Sequence, residues 1–282
     1  MKKIAEKVEF VSLGVAAIIV LSILGIILYD ISAKGIRVIS WEFLTQPPRR
    51  GMTEGGIFPA LVGTLYVSLI TILFSVPLGV CAAIYLNEYA GRGKLTRLIR
   101  IAIRNLAGVP SIVYGLFGVV LFVQLFKFGT SVLSAGLTLG LLTLPWTITA
   151  SEEALRAVPQ SYREGALALG ATKWQAIKTN VLPYALPGIL TGTILGLARA
   201  AGETAPILFT GVAFFLPHLP RSIFSQFMAL PYHLYILATQ HHAIERVKPL
   251  AYGTALVLII LVLSLNSVAI FIRYYLRLKR RG

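Results

Sequence analysis

Long apolar runs separated by short charged segments are the feature that most constrains how this chain folds. The first run, Val8 to Tyr29, follows Lys2, Lys3 and Lys7. At about 20 residues it is long enough to cross roughly 30 Å of hydrocarbon as a helix. A cleaved signal peptide is the alternative, but its apolar region would be about 7–15 residues long and would end at a small-residue site. Asp30-Ile31-Ser32 offers no such site, so we expect a retained anchor helix.

The composition excludes an ordinary soluble domain. Only 13% of the residues are charged and 56% are hydrophobic, with a mean hydropathy of +0.79, whereas soluble domains carry about 25% charged residues. The net charge of +15 could indicate a nucleic-acid partner. The charges, however, lie between the apolar runs, and no aromatic residue is interleaved with a basic run in a way that suggests base stacking. The single cysteine, Cys81, excludes an internal disulfide framework.

The apolar runs predict an all-helical polytopic membrane protein with six transmembrane helices. Pro77, Pro110 and Pro206 should kink or interrupt the helices that contain them. With the N-terminus inside, the inner segments carry about twice as many Lys and Arg residues as the outer ones, and this bias places both ends of the chain in the cytoplasm. The expected spans are roughly Val8–Tyr29, Ala60–Leu86, Ile101–Phe126, Val132–Ala150, Leu182–Val212 and Leu250–Tyr274.

Two hydrophilic segments on the predicted outer side are longer than simple turns. One covers residues 31–59, and the other covers residues 214–249 and contains all four histidines. Their size suggests a plug or a docking surface for an external partner, with a plain connecting loop as the alternative for the first. We divide the chain into an N-terminal anchor helix with an extracytoplasmic loop, residues 1–56, and a transmembrane domain, residues 57–276. The second part includes a cytoplasmic loop over residues 151–181.

The motifs of common enzyme sites are absent from the sequence. There is no phosphate-binding G-x-x-x-x-G-K-[ST] loop, no H-E-x-x-H, no paired-cysteine metal motif and no G-x-S-x-G nucleophile elbow. His241 and His242 are adjacent, so their rings should diverge on a helix, and we expect no metal site there. We therefore expect neither catalytic residues nor a metal, and interpret the chain as a transport subunit.

The predicted cytoplasmic loop, Glu152 to Val181, is the longest hydrophilic segment on the inner side. Ser161 as N-cap and Glu164 three residues later predict a helix start, and Gly170 can end that helix in the left-handed conformation. A second short helix is expected from Lys173 to Asn180. Two short helices at an angle form a compact surface for a soluble partner, and an interfacial amphipathic loop without a partner is the alternative.

This loop resembles the EAA loop of ABC importer membrane subunits, whose pattern is E-A-A-x3-G-x9-I-x-L-P. Gly165 replaces the first Ala of that pattern, and Asn180 stands where Ile is usual. The resemblance extends over roughly residues 57–274. Four further segments are similar to the A-type permease family of bacterial phosphate importers (PstA). The matching residues are Glu164, Ala166, Gly170, Leu182 and Pro183 for the loop, and Gly55–Ile57, Pro110–Gly115, Glu152–Arg156 and Gly202–Pro206 for the four segments.

The resemblance implies a type I (MetI-like) permease of an ATP-driven phosphate importer in the bacterial inner membrane. It implies a sister permease (PstC-like), two copies of a cytoplasmic ATPase (PstB-like) and an extracytoplasmic phosphate-binding protein (PstS-like). ATP and Mg would bind the ATPase, and no cofactor is expected on this chain. The residues expected to couple the chain to the ATPase are Glu164, Gly165, Ala166 and Gly170. An importer of sulfate or molybdate is the alternative within the class.

An ion-driven secondary carrier is the alternative from another class. Such a carrier would be expected to have inverted repeats and broken helices at the membrane midplane, and it would not need an ATPase-docking loop. A membrane enzyme would need a catalytic constellation that the sequence lacks.

The fifth predicted span contains small residues at every fourth position, Gly188, Gly192, Gly196 and Ala200. Such a stripe lets two helix backbones approach closely. The contact could lie within this chain or with the sister permease, and the sequence leaves both open.

Arg199 and Glu203 are spaced i,i+4 on one face of the same span. A charged residue at the centre of a membrane helix costs about 2.5–3.5 kcal/mol on insertion scales, so it should face the bundle interior or a water-filled cavity. A purely structural ion pair is the alternative. We favour a substrate pathway lined by Arg199, Glu203 and Thr204, because the planar donors of Arg match phosphate oxygens.

Overall fold

The computed structural model describes residues 2–91 and 93–278 as a bundle of helices. Met1, Arg92 and residues 279–282 of the predicted cytoplasmic segments lie outside that range. Two short strands, β1 Pro48–Arg49 and β2 Glu54–Gly55, pair antiparallel, and otherwise the all-helical prediction is confirmed. The helices of the described residues are α1 Lys2–Gly35, α2 Trp41–Thr45, α3 Phe58–Ile84, α4 Lys94–Leu106, α5 Ser111–Gly118, α6 Val132–Arg156, α7 Gln160–Ala168, α8 Lys173–Ala176, α9 Leu182–Gly202, α10 Ala205–Thr210, α11 Leu230–Tyr235 and α12 Ile244–Leu278.

Among the described residues, five helical segments are long and apolar enough to cross a membrane. A sixth span exists only if α4 and the helix that begins with α5 are counted together, and these two meet at an angle of 102°. Two of the segments, Phe58–Tyr89 and Lys173–Gly202, include π-helical or shorter helices joined end to end without a break. The segments are Phe10–Gly35, Phe58–Tyr89, Val132–Arg156, Lys173–Gly202 and Ile244–Tyr275.

The predicted span Ile101–Phe126 is interrupted at Pro110, as expected. Helix α4 ends at Leu106, and α5 starts only at Ser111 and continues through a π-helical segment to Leu125. Pro110 lies at the break with φ −56° and ψ 139°. Its ring disfavours helical geometry for the residue before it, and it has no N–H to donate. The apolar composition continues through the break, so hydropathy alone merges two nearly perpendicular helices.

The predicted span Leu182–Val212 is also interrupted. Helix α9 ends at Gly202, where Glu203 turns extended with ψ 133°. Pro206 lies in the first turn of the separate α10, where its missing N–H costs nothing. Pro77 lies inside α3, which continues past it. Of the three prolines expected to disturb helices, Pro110 and Pro206 therefore mark actual breaks.

Helix α6 lies at the centre of the bundle, with α3 and α9 packed on it. Gly136 and Gly140 of α6 are covered by the side chains of Ile70 and Phe74. Buried hydroxyls on both helices donate to carbonyls one turn earlier, as Thr71 does to Val67 O at 2.8 Å. Small and hydroxyl-bearing residues at helix contacts are typical of membrane proteins, because they allow close approach where the hydrophobic effect does not drive association.

The bundle has two ends. The α7 end is the one at which α3 and α6 finish and α9 begins. The far end is the opposite one. The predicted outer segments both lie at the far end. There Phe43, Met52 and Ile57 pack into one cluster with residues of the second segment, including Leu230 and Leu237. The first segment is thus part of the folded core and not a plain loop.

His241 holds the two outer segments together. Its Nε2 lies 2.8 Å from Gly51 O, and its Nδ1 accepts from Ala243 N at 3.1 Å. Gly51 lies in a left-handed turn with Arg50 and Met52, all at positive φ. The expectation that the rings of His241 and His242 diverge is wrong. They lie between helices and stack with centroids 4.5 Å apart. Within the described residues, no three metal-ligating side chains cluster.

Candidate coupling surface and substrate pathway

Helix α7 carries most of the residues that sequence analysis assigned to ATPase coupling. The expected N-cap, Ser161, is wrong. The helix begins at Gln160, and Pro159 occupies the cap position in an extended conformation without a side-chain hydrogen bond. Gly170 follows the helix at φ +83°, as expected. Its N–H donates to Leu167 O at 3.0 Å, which is the pairing of a helix end closed by a left-handed glycine.

The second predicted short helix is present as α8 and a π-helical turn, Ile177–Val181, that runs directly into α9. Thr172 starts it. Its hydroxyl accepts from Gln175 N, and the Gln175 side chain accepts from Thr172 N at 2.8 Å, a reciprocal capping arrangement. The segment that follows the turn around Gly170 is therefore continuous with α9.

Glu164 and Gly165 lie exposed on the surface of α7, while Ala166 is buried against the bundle. Nothing approaches the position that a Cβ of Gly165 would occupy. Leu169, which sequence analysis did not single out, is 91% exposed at the end of the helix. One face of α7 is therefore anchored and the opposite face is free for a partner.

Arg163 anchors α7 to the end of α3. Its Nη2 lies 2.7 Å from the Glu88 carboxylate, and the two side chains are 14% and 6% exposed. The remaining donors bond Val158 O and Leu155 O, both at 2.9 Å. A buried guanidinium whose donors are satisfied in this way holds its partners in one geometry.

A second ion-pair cluster ties α4 and α6 to the same place. Glu152 accepts from Arg156 at 2.6 Å and pairs with Arg100 of α4 at 2.8 Å. The Arg100 Nη2 also donates to Leu86 O at 2.7 Å. Sequence analysis missed both clusters. The available signal was the scarcity of carboxylates, since Glu88 and Glu152 are two of only 11 acidic residues.

Arg199 and Glu203 form the expected i,i+4 pair, with Nε and Oε1 3.4 Å apart. The Arg199 side chain is 44% exposed and Glu203 is 19% exposed, so the guanidinium faces out of this chain's bundle. It lies 5.5 Å from the centre of the Trp146 ring on α6, a separation typical of a cation–π contact. Thr204 is half-buried beside Glu203, at the break between α9 and α10. Sequence analysis missed Trp146.

The stripe of small residues on α9 faces α6 of the same chain. A Cβ on Gly188 would lie 2.7 Å from the Ala154 Cβ, and one on Gly192 would overlap Ala150. Gly196 is packed more loosely, with Thr143 and Thr147 atoms at 3.9 Å. The sequence left open whether the stripe contacts another helix of this chain or the sister permease. At these positions it contacts α6 of this chain.

Membrane-length helices around a central α6, with an anchored helical protrusion at one end, define a multi-pass membrane transport subunit. The chain belongs to the family of binding-protein-dependent transport system inner membrane components, whose model matches residues 75–282. It is 34% identical over 280 residues to a probable ABC transporter permease protein, YqgI, of Bacillus subtilis, covering 95% of both chains. It is 40% identical over 230 residues to phosphate transport system permease protein PstA 1 of Mycobacterium tuberculosis, covering 80% of this chain and 72% of that protein.

Solved structures share the fold at low sequence identity. The bacterial alginate ABC transporter in complex with its pentasaccharide-bound periplasmic protein matches 90% of this chain and 92% of its own, with a TM-score of 0.64 and 15% identity. The inward-facing MetNI methionine ABC transporter matches 78% of this chain and 94% of its own, with a TM-score of 0.59 and 19% identity. The MetI-like permease fold predicted from the sequence is thereby confirmed.

Proposed function

We propose that this chain is the permease subunit of an ATP-driven inorganic phosphate importer. The observation that carries the proposal is its 40% identity to the mycobacterial phosphate permease over 80% of the chain. Other relatives that bear the same name, such as the one from Mycobacterium leprae at 38% identity over 83% of the chain, support it. An importer of sulfate or molybdate is the competing assignment that the test below addresses.

The position of Arg199 supports an anion pathway. A half-exposed guanidinium on the surface of one permease faces lipid, a second protein or water, and exposure to lipid is costly. If Arg199 lines a path between this permease and a sister permease, its guanidinium avoids the cost of exposure to lipid. Arg199 would attract the anion, while Glu203 and Thr204 would limit how tightly it is held. Trp146 would restrict the guanidinium to one orientation.

Coupling to ATP hydrolysis would use the free face of α7. The exposed Glu164, Gly165 and Leu169 suit contact with an ATPase, whereas Ala166 and Arg163 fix the helix to the permease. Movement of α7 would pull the end of α3 through Glu88 and turn α9 through α8. That motion would alternate access to the pathway. ATP and Mg would bind the partner ATPase, and this chain would need no cofactor.

The complete transporter would contain four kinds of chain. We propose a C-type sister permease (PstC-like), two copies of a cytoplasmic ATPase (PstB-like) and an extracytoplasmic phosphate-binding protein (PstS-like). The α7 end and both termini would face the cytoplasm of a bacterial inner membrane, since the Lys and Arg bias favours that orientation. The far end would face the binding protein.

Reconstitution tests the substrate. The purified complex is placed in proteoliposomes with ATP enclosed, and uptake of labelled phosphate, sulfate and molybdate is compared in the presence of the binding protein. We expect ATP-dependent phosphate uptake that unlabelled sulfate does not suppress. Uptake of sulfate or molybdate in preference to phosphate would assign the chain to another anion importer.

Single cysteines test the orientation. In a Cys81→Ser background, the exposed positions Gln175 and Ser222 are each replaced by Cys and treated with a membrane-impermeant thiol reagent. In intact cells Ser222→Cys should be labelled and Gln175→Cys should react only after the membrane is opened. The reverse pattern would contradict the proposed topology.

A further inference from the structure

Helix α4 has opposite apolar and basic faces and buries no residue of its own. Leu95 and Leu98 are 70% and 62% exposed. At helical spacing they share one side of α4 with Ile99 and Leu106, which are also exposed, whereas the exposed Ile101 lies on the basic side. Arg97, Arg100 and Arg104 recur at i, i+3 and i+7, so they share the other side. An exposed apolar face of this kind on a helix with a basic face is typical of segments that lie in a membrane interface.

Contacts with the neighbouring helices show where α4 lies in the bundle. It makes an angle of 102° with the helix that begins at Ser111, which packs against the membrane-length α6. The Arg100 side chain reaches Glu152 near the end of α6 and Leu86 O near the end of α3. Helix α4 therefore lies at the α7 end of the bundle and does not continue the direction of the helix that follows it.

The charges on α4 indicate which kind of surface the helix contacts. Arg100 is paired with Glu152, but among the side chains that the structure describes, those of residues 10–91, 93–268 and 270–275, neither Arg97 nor Arg104 forms an ion pair. Two uncompensated guanidinium groups beside an apolar face complement anionic headgroups above acyl chains. A protein partner would have to cover the apolar face and also supply carboxylates to the basic one.

We propose that α4 is a lipid-docking segment that binds the anionic headgroups of the leaflet at the α7 end. Arg97 and Arg104 bind the headgroups, and the leucine face enters the acyl region. Arg100 connects α4 to the ends of α3 and α6. The identity of that leaflet as the cytoplasmic one rests on the proposed function. The lipid contact itself is independent of what the protein transports.

The depth of α4 is measured on the full chain in phosphatidylcholine–phosphatidylglycerol nanodiscs. A spin label is attached to Leu98→Cys or Arg97→Cys in the Cys81→Ser background. We expect the label at position 98 to be accessible to oxygen and shielded from a water-soluble nickel chelate, and the label at 97 to show the opposite. A label at 98 that is shielded from both reagents, or exposed to the chelate, would overturn the proposal in favour of a protein partner or water.

Lipid preference is the second measurement, and it is compared between matched variants. The association of spin-labelled phosphatidylglycerol relative to phosphatidylcholine is measured for the wild type and for Arg97→Gln/Arg104→Gln. Each removed charge should lower the preference by up to about fivefold. Arg49→Gln/Arg221→Gln at the far end is the control and should change it little. Equal preference in the wild type and the α4 variant would overturn the proposal. Neither measurement requires transport, so a failed phosphate assay leaves both interpretable.

Discussion

The Arg163 guanidinium lies 2.7 Å from the Glu88 carboxylate and joins α7 to the end of α3 through an ion pair that water barely reaches. The two residues are 75 positions apart in the sequence. Because Arg163 also bonds two carbonyls at the end of α6, three elements meet at one side chain. Helix α7 is therefore held against the ends of two membrane helices at once.

Removing one partner of this pair should be costly. Arg163→Gln leaves the Glu88 carboxylate buried and unpaired, and such changes destabilise proteins by about 3–5 kcal/mol. We expect lower thermal stability in detergent and faster proteolysis around α7. Glu88→Gln/Arg163→Gln should recover part of the loss, because no unpaired charge remains. The exposed pair Arg50–Glu54 is the control, and Arg50→Gln should cost at most about 1 kcal/mol. Equal effects at both sites would show that the Arg163–Glu88 pair does not hold α7 against the end of α3.

Gly170 should tolerate no β-branched residue. Its φ of +83° places Gly170→Val in a strained conformation that costs on the order of 1–3 kcal/mol. The variant should still insert in the membrane, since no span changes, but it should lose transport and retain the ATPase poorly. Gly129→Val is the matched control, because Gly129 also has a positive φ, +67°, and space for a Cβ, but it lies before α6 at the far end. Co-purification of the ATPase with each variant measures the difference, and full retention by Gly170→Val would contradict the coupling role.

The sequence predicted the membrane helices well because an apolar run of about 20 residues has few alternatives. The break at Pro110 was expected, but its angle of 102° was not. The prediction failed where a cap is made by backbone geometry, as at Pro159. The left-handed Gly170 was predictable because few other residues adopt that conformation. The role of the α4 charges was not, since Arg100 was counted only as part of a positive cluster.

The site residues divide in the same way. Arg199 and Glu203 were found because a charge in an apolar run is conspicuous and their i,i+4 spacing is local. Trp146 and the Arg163–Glu88 pair were missed because they depend on which helices pack together. The scarcity of carboxylates marks Glu88 as unusual, but a single sequence does not show which distant residue pairs with it. The stripe on α9 is intermediate, since the small residues were evident but their partner, α6, was not.

The protein should lose stability below neutral pH through His233. Burial, with a smaller contribution from nearby His241, lowers the pKa of His233 to about 4. The unfolded histidine, with a pKa near 6.5, then binds more protons than the folded one between pH 4 and 6.5. Stability should be fully present above pH 6.5 and fall as the pH drops through that window. Thermal melts in detergent should show a flatter profile for His233→Gln than for His218→Gln, an exposed control. Parallel profiles would contradict the assignment of this pH dependence to His233.

Arg199 should be required for uptake but not for assembly. Because the Arg199 side chain is 44% exposed, Arg199→Gln replaces no buried group. The complex should therefore be recovered and hydrolyse ATP, while phosphate uptake is lost. Trp146→Leu should weaken uptake less, since it frees the guanidinium but keeps its charge, and Trp146→Phe should restore part of the effect through its ring.

The double variant Arg199→Gln/Glu203→Gln separates a pathway from a structural ion pair. It removes the unpaired carboxylate, so a defect caused by that charge should be relieved. A pathway defect should persist, because the anion still lacks its guanidinium. Uptake of labelled phosphate into proteoliposomes, normalised to the amount of assembled complex, measures the difference. Recovery of uptake in the double variant would return Arg199 and Glu203 to a structural role, whereas persistent loss with normal assembly supports Arg199 as a residue that the anion passes.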